Sequence, residues 1–516
     1  MTQVLTKLGW VEGQRRNAHV VFRGIPFAKP PVGRLRFRAP EPPEPWGGVR
    51  PALEFGSSSL QRPASPGVNG VPEPRSEDCL YLNVYTPAAD WKARPVVFWI
   101  HGGGFNTGAG GELLYDGGPL TERGDVVVVT INYRLGALGF LCLPEADRKR
   151  LDLTANVGCL DQIAALHWVR DNIAAFGGNP DDVSLMGESA GAYSVAMLLG
   201  MPRAWGLFHR AVAQSGARLS RVAGDPSRRS LALLRELEIP EQRLEALWDV
   251  PADRFVPAQA AIASRGNSAL NDVSAFAPAF DGDTIPLPLA EAFARGASAK
   301  VPLMLGTTRD EINLFLGQAV KKLDEPLEDA ALYERLRPVV PGASDARIAT
   351  LIDVYRSSRS KRKLPHGNRA LSAAITSDAL WRVTNERFLD AYRAQDVPAY
   401  LYFFTYESPA MRGALRSCHA LDLPFMFGTL DGPGQDRFAG TGERVHALSR
   451  RMMDVWLAFA RTGDPSLRDV AGGNWPVYEP QQRPTMVFDL ESGLQSAPYE
   501  EERAAWTGLT PRALIG

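Results

Sequence analysis

The chain has 516 residues, enough at roughly 150 residues per domain for about three domains or one large enzyme domain with insertions. Hydrophobic residues make up 45% and charged residues 22%, which excludes disordered, collagen-like and coiled-coil chains. Lys and Arg total 57 against 58 Asp and Glu, a net charge of −1, so no positive field is present to hold a polyanion and nucleic acid is not an expected partner.

The first twenty residues contain no apolar run of the length a secretory signal needs, and no later stretch approaches the ~20 apolar residues of a membrane span. No membrane association and a cytoplasmic location are therefore expected. From residue 26 to 51 prolines recur at 26, 30, 31, 40, 42, 43, 45 and 51, which favours extended or turning backbone and forbids long helices. Short strands are expected there.

Apolar, β-branched runs then recur at 96–100, 126–131, 183–186, 211–214, 301–305 and 400–404. They are continuous rather than alternating, the mark of a sheet covered on both faces. Between them, Ile163, Leu166, Val169 and Ile173 share one helical face before Gly177 and Gly178, and Val445, Leu448, Met452, Val455 and Phe459 share another. Strand, crossover and strand in this order predict an α/β fold. The stretches 220–270 and 318–395 are charged and helix-rich, so they read as insertions above the sheet within one domain spanning 1–516. The segment KRKLPHGN at 361–368 reads as a solvated loop. Four widely spaced cysteines, Cys79, Cys142, Cys159 and Cys418, form no CxxC pair and have no histidine at metal-ligand spacing. Neither a disulfide framework, a metal nor any other cofactor is expected.

Gly187-Glu188-Ser189-Ala190-Gly191 stands between the strand-like VSLM and the helix-like AYSVAMLLG. A sharp strand-to-helix turn needs small residues on both sides to lift the serine hydroxyl above the sheet, and it sets helix N–H groups beneath the reacting centre. A chance glycine-rich turn matches the letters but not the placement, so Ser189 is the candidate nucleophile. His101-Gly102-Gly103-Gly104-Phe105 follows the run VVFWI and fits the HGGG type of oxyanion loop, in which bare backbone N–H groups receive the charge formed on attack; a third donor is expected from Ala190. A phosphate cradle is the alternative for such a loop, but no G-x-x-x-x-G-K-[ST] accompanies it.

A base must be found among seven histidines. The chain order serine, acid, histidine leaves His366, His419 and His446. His366 lies in the basic loop and His446 on the amphipathic helix, whereas His419 lies in SCHALDLPF after the strand-like LYFF, where a base delivered at a strand's end belongs. The acid must follow an intervening strand, and Asp310 and Glu311, after VPLMLGTTR, both qualify.

Three stretches, RGIPFAKPPVGRLRFRAPEP at 23–42, SEDCLYLNVYTP at 76–87 and FGGNPDDVSLMGESAGAYS at 176–194, resemble the type B carboxylesterases, a group that includes bacterial para-nitrobenzyl esterases and cholinesterases. The resemblance continues through GTTRDEINLF, CHALDLPFMFG and WLAFARTGDP. It implies an α/β-hydrolase fold and a serine hydrolase of small carboxylic esters, with Glu311 as the acid, His419 as the base and Gly103, Gly104 and Ala190 as oxyanion donors. Ser215 of the QSG motif and Glu188 are implied as supporting residues, and Glu77 with Arg134 as a buried ion pair. Secreted relatives tie the cysteine of SEDCL to one in an upstream loop, but residues 47–78 contain none. Cholinesterases hold a tryptophan in that loop for the choline ammonium; no tryptophan occurs between Trp46 and Trp91, so neutral esters are expected. The stretch 271–276, before Pro278 to Gly282, offers only Phe276 as a large ring to narrow the acyl pocket. Carbamates and amides use the same machinery. A lipase would be expected to show an apolar lid, and a non-catalytic binding protein the loss of a triad member.

Overall fold

The computed structural model describes residues 1–62, 70–219, 226–264, 276–467 and 473–514. The chain divides into two compact units: Met1–Val212 with Val222–Ala292 and Ala297–Lys300, and Ala213–Arg221 with Phe293–Gly296 and Val301–Gly516.

In the first unit the strands lie side by side in the order Thr2–Thr6, Gly9–Arg16, His19–Pro26, Tyr81–Thr86, Val127–Ile131, Arg94–Ile100 and Gly178–Glu188. The first five pair antiparallel, and the last three are mutually parallel. Every side chain of Val127–Ile131 is buried, the burial on both faces that its unbroken β-branched run implies. The crossover helix Val157–Asn172 tightens into the turn Ile173–Phe176 and stops at Gly177, whose φ of +84° is the left-handed cap expected of glycine. Between the N-terminal strands and Val49–Pro51 the proline-rich segment forms only the short turn Gly33–Leu35.

In the second unit Leu303–Thr308, Ala399–Phe404 and Pro484–Phe488 are parallel neighbours, with Gly493–Ser496 antiparallel at the edge. Helices Asp329–Leu336, Asp345–Lys361 and Asn368–Ser377 close a core of Leu332, Leu336, Ile348, Leu351 and Tyr355 that Trp506 and Leu509 complete. The last of these helices passes through a π-helical turn, Asp378–Arg382, into Val383–Arg393. Among the described residues no strand falls within 220–270 or 318–395. The 361–368 segment joins two helices and leaves His366 exposed.

The expected Glu77 with Arg134 pair does not form. Arg36 takes Glu77 through two hydrogen bonds, of 2.5 and 2.9 Å, and Arg134 forks onto the fully buried Asp161 at 2.6 and 2.8 Å. Each guanidinium meets a carboxylate in the bidentate geometry that one shared pair would deny the others.

All four cysteines are buried and none forms a disulfide; burial pushes the Cys79 thiol up to about 12 and raises the Cys418 thiol as well. Reductant is therefore expected to leave melting temperature and activity unchanged. Loss of a native disulfide costs about 2–5 kcal/mol, so a clear drop in Tm on reduction would overturn this assignment.

Candidate active site

Ser189 occupies the single residue between the strand Gly178–Glu188 and the helix Ala190–Leu199, with φ 55° and ψ −118°. That conformation costs a non-glycine residue about 1–3 kcal/mol and persists only where the surroundings enforce it. The flanking glycines show how. A Cβ on Gly191 would lie 2.0 Å from the carbonyl oxygen of Ile100, and one on Gly187 would lie 2.5 Å from the backbone of Gly191. The helix thus enters so close to the strand end that neither position accepts a side chain. Ala190 begins the helix, where the first N–H groups have no intrahelical acceptor.

The loop that follows Arg94–Ile100 lies against this turn, since a Cβ on Gly102 would be 3.2 Å from that of Ser189 and 2.6 Å from a carboxylate oxygen of Glu188. Glu188 is itself buried. Gly103 has φ +97° and Gly104 φ +61°, and a Cβ on Gly103 would overlap the carbonyl oxygen of Thr107 at 2.1 Å. Carbonyl groups of the loop are tied inward: Asn106 and Thr107 donate their N–H groups to Gly103 O at 3.1 and 3.0 Å, Asn106 Nδ2 donates to Gly104 O at 2.9 Å, and Gly136 N–H to Phe105 O at 2.6 Å. The N–H groups of Gly103 and Gly104 donate to no described residue. The loop therefore presents donors, the arrangement an oxyanion requires.

In the second unit Glu311 and His419 follow the paired strands Leu303–Thr308 and Ala399–Phe404. His419 Nδ1 lies 2.5 Å from Glu311 Oε2, and the other carboxylate oxygen accepts the Thr308 N–H at 2.9 Å. A carboxylate only accepts, so Nδ1 carries the proton and Nε2 is the basic nitrogen of the ring. Both residues are buried. The neighbouring Asp310 turns the other way, onto Arg309 at 2.8 Å and Arg359 at 3.5 Å. Burial pushes its carboxyl up, but the two guanidinium groups outweigh that and hold it below the usual carboxylate range. Of the pair, only Glu311 reaches the histidine. His366 is exposed beside its own loop carbonyl, and His446 lies 3.6 Å from Asp431 on its helix.

Two rings that sequence reasoning missed stand beside His419. Phe315 and Trp381 lie 5.0 and 5.4 Å from the imidazole and stack on each other at 5.6 Å. Trp381 comes from the π-helical turn, and the same segment meets the backbone before and after Glu311. Ser377 Oγ accepts the Ile312 N–H at 3.0 Å, and Asn385 Nδ2 donates to Gly306 O at 3.3 Å. No periodicity in the sequence marks a π turn, which explains the omission. Ser215 is buried, and its hydroxyl finds no hydrogen-bonding partner among the described residues, while its N–H donates to Gly306 O at 2.8 Å. Phe276 is buried; the rest of the 271–276 stretch lies outside the described residues.

The Carboxylesterase family model matches residues 1–506. Among curated proteins the chain is 39% identical to the para-nitrobenzyl esterase of Bacillus subtilis (strain 168), over 97% of each chain. It is 34% identical to the phenmedipham hydrolase of Pseudarthrobacter oxydans, over 94% of each. Among solved structures, a Geobacillus stearothermophilus carboxylesterase superposes with a TM-score of 0.83 at 37% identity, covering 98% of this chain and 100% of that one.

Proposed function

The chain belongs to the carboxylesterase family and is a carboxylic ester hydrolase of the α/β-hydrolase fold; from that premise we propose that Ser189 is its nucleophile, His419 its base and Glu311 its acid. Ser189 Oγ attacks the ester carbonyl carbon as its proton passes to His419 Nε2. The negative charge that forms on the carbonyl oxygen is received by the N–H groups of Gly103, Gly104 and Ala190. His419 then gives the proton to the departing alcohol, leaving an acyl-enzyme. Water, deprotonated by His419, releases the acid and restores Ser189. Throughout, Glu311 holds the Nδ1 proton and balances the imidazolium. Glu188 and Ser215 are supporting residues in this reading.

The observation that supports it most is the 2.5 Å contact between His419 Nδ1 and Glu311 Oε2, because a buried imidazole oriented by one carboxylate has its other nitrogen fixed as a base. The buried cysteines, none of them in a disulfide, support a place in a reducing compartment, the cytoplasm. Among the described residues no helix is long and apolar enough to cross a membrane.

The substrates we propose are neutral aryl, benzyl and alkyl esters. The segment between Trp46 and Trp91 contains no tryptophan to hold a choline ammonium, and the 271–276 stretch offers only Phe276 as a large ring; an added methylene in an apolar pocket is worth only about 1–3 kcal/mol. Comparable kcat/KM is therefore expected for aryl acetates and butyrates. Butyrylcholine and its neutral isostere, with carbon in place of nitrogen, are expected to react within about tenfold of each other, since an exposed cation–π contact is worth only ~0.5–1 kcal/mol. A preference for the charged ester beyond that would overturn the proposed selectivity. Phenmedipham, para-nitrobenzyl acetate and a matched amide belong in the same screen.

A further inference from the structure

His101 opens the glycine loop, and the mechanism above does not use it. Its imidazole is buried, with Nδ1 2.8 Å from the carbonyl oxygen of Gly102, the next residue. A carbonyl oxygen only accepts, so Nδ1 carries the hydrogen and Nε2 is a bare lone pair. Nε2 has no hydrogen-bonding partner among the described residues, which is the less costly nitrogen to leave unpaired, since an orphaned N–H would be a desolvated donor. Burial also holds the ring's pKa down to about 4, which favours the neutral ring near neutral pH.

The surroundings are built around this one bond. Tyr133 stacks on the imidazole at 4.5 Å and 22°, and its hydroxyl donates to His101 O at 3.0 Å. At Gly108, with φ +108°, a Cβ would fall 2.4 Å from His101 Nδ1 and 2.8 Å from Gly102 O, directly across the bond. Gly108 is in turn pinned through both of its backbone polar groups by the buried Gln61, at 2.8 and 2.9 Å.

The acceptor carbonyl is what matters chemically. Gly102 C=O and Gly103 N–H belong to one planar trans peptide and point in opposite directions. Glycine on both sides supplies no steric preference of its own to hold that plane. Whatever fixes Gly102 O therefore aims the Gly103 N–H. We propose that His101 is a positioning residue of the oxyanion hole, its Nδ1–H holding the Gly102–Gly103 peptide so that the Gly103 N–H faces the developing oxyanion. This rests on the serine-hydrolase reading above.

Three substitutions separate positioning from packing. Asn places an amide N–H where Nδ1 stands, Gln places one nearer to Nε2, and Leu fills the space with no donor. Misaligning one oxyanion donor costs on the order of 10² in kcat. His101→Gln and His101→Leu are expected to lose about that factor with KM changed less than about threefold, and to weaken a trifluoromethyl ketone inhibitor, which mimics the tetrahedral adduct, by the same factor. His101→Asn is expected to lose less than about tenfold, because it restores the donor. Equal losses in all three that follow Tm, or full activity in Gln and Leu, would overturn the proposal. Nitrogen-15 chemical shifts of the histidines in the wild-type protein provide a test that needs neither turnover nor a folded variant. A hydrogen on His101 Nε2 instead of Nδ1 would refute the bond on which the inference stands. Loss of catalysis in Ser189→Ala judges the underlying reading separately.

Discussion

Ser189→Ala is expected to lower kcat by on the order of 10⁶ while leaving the melting temperature close to that of the wild type. The two halves of this expectation come from different features. The strain at position 189 belongs to the backbone, φ 55° and ψ −118°, and alanine carries the same Cβ and meets the same penalty. The enforcing contacts, Gly191 against Ile100 and Gly187 against Gly191, do not involve the hydroxyl. Only the hydroxyl of the proposed nucleophile is removed. In the wild type a fluorophosphonate probe is expected to bond through phosphorus to Ser189 Oγ with loss of fluoride, and peptide mapping locates the label. Label on another serine, or esterase activity retained in the alanine variant, would sink the mechanism.

The adjacent carboxylates Asp310 and Glu311 are expected to fail in opposite ways. Glu311→Gln keeps the volume but loses the charge that balances the imidazolium and the acceptor that fixes the tautomer, a loss of about 10⁴ in kcat. Asp310→Asn leaves His419 untouched and instead strips Arg309 and Arg359 of a buried partner. Breaking a buried ion pair by removing one side costs about 3–5 kcal/mol, so this variant is expected to show a lowered Tm with nearly normal kcat in the fraction that folds. The pH dependence follows the same logic. Because the folded-state pKa of Asp310 is depressed, its contribution to stability is full above its unfolded value of about 3.9 and is lost as pH falls through the lower folded value. Asp310→Asn is thus expected to flatten the acid limb of the stability curve. A catalytic collapse in Asp310→Asn with a mild effect of Glu311→Gln would reverse the assignment.

Much of this was legible in the chain. The runs 126–131 and 400–404 are strands within a residue of their expected bounds, because unbroken β-branched and aromatic residues have few other low-energy arrangements than a covered sheet. Gly177 and Gly463 end their helices because each adopts the left-handed conformation that glycine alone takes at little cost. The strands Tyr81–Thr86 and Pro484–Phe488 were not legible: the first has polar Asn83 at its centre, which the interior satisfies through Gly24 N–H and Thr130, and the second is five residues behind a proline-rich turn. Partner choice in buried ion pairs was equally hidden. Arg36 with Glu77 and Arg134 with Asp161 are separated by 41 and 27 positions, and no local pattern distinguishes them from the crossed pairing. The different partners of Asp310 and Glu311 were equally hidden, since adjacent residues share every local signal and differ only in direction.

The π-helical turn at Asp378–Arg382 has a consequence for how this segment tolerates change. Ser377 on one side and Asn385 on the other are both fastened to the backbone of Leu303–Thr308 and the turn after it, and Trp381 between them lies beside His419. Each residue added to or removed from a helix turns everything beyond it by about 100° and shifts it by about 1.5 Å. The widened turn is the extra length that lets both fastenings and the ring be met at once. Substitution at an exposed position here alters one side chain, but a one-residue deletion between 377 and 385 would put the two fastenings out of phase. Unlike a loop, this stretch cannot drift in length, so insertions and deletions are expected to be excluded from it while exposed loops accept them.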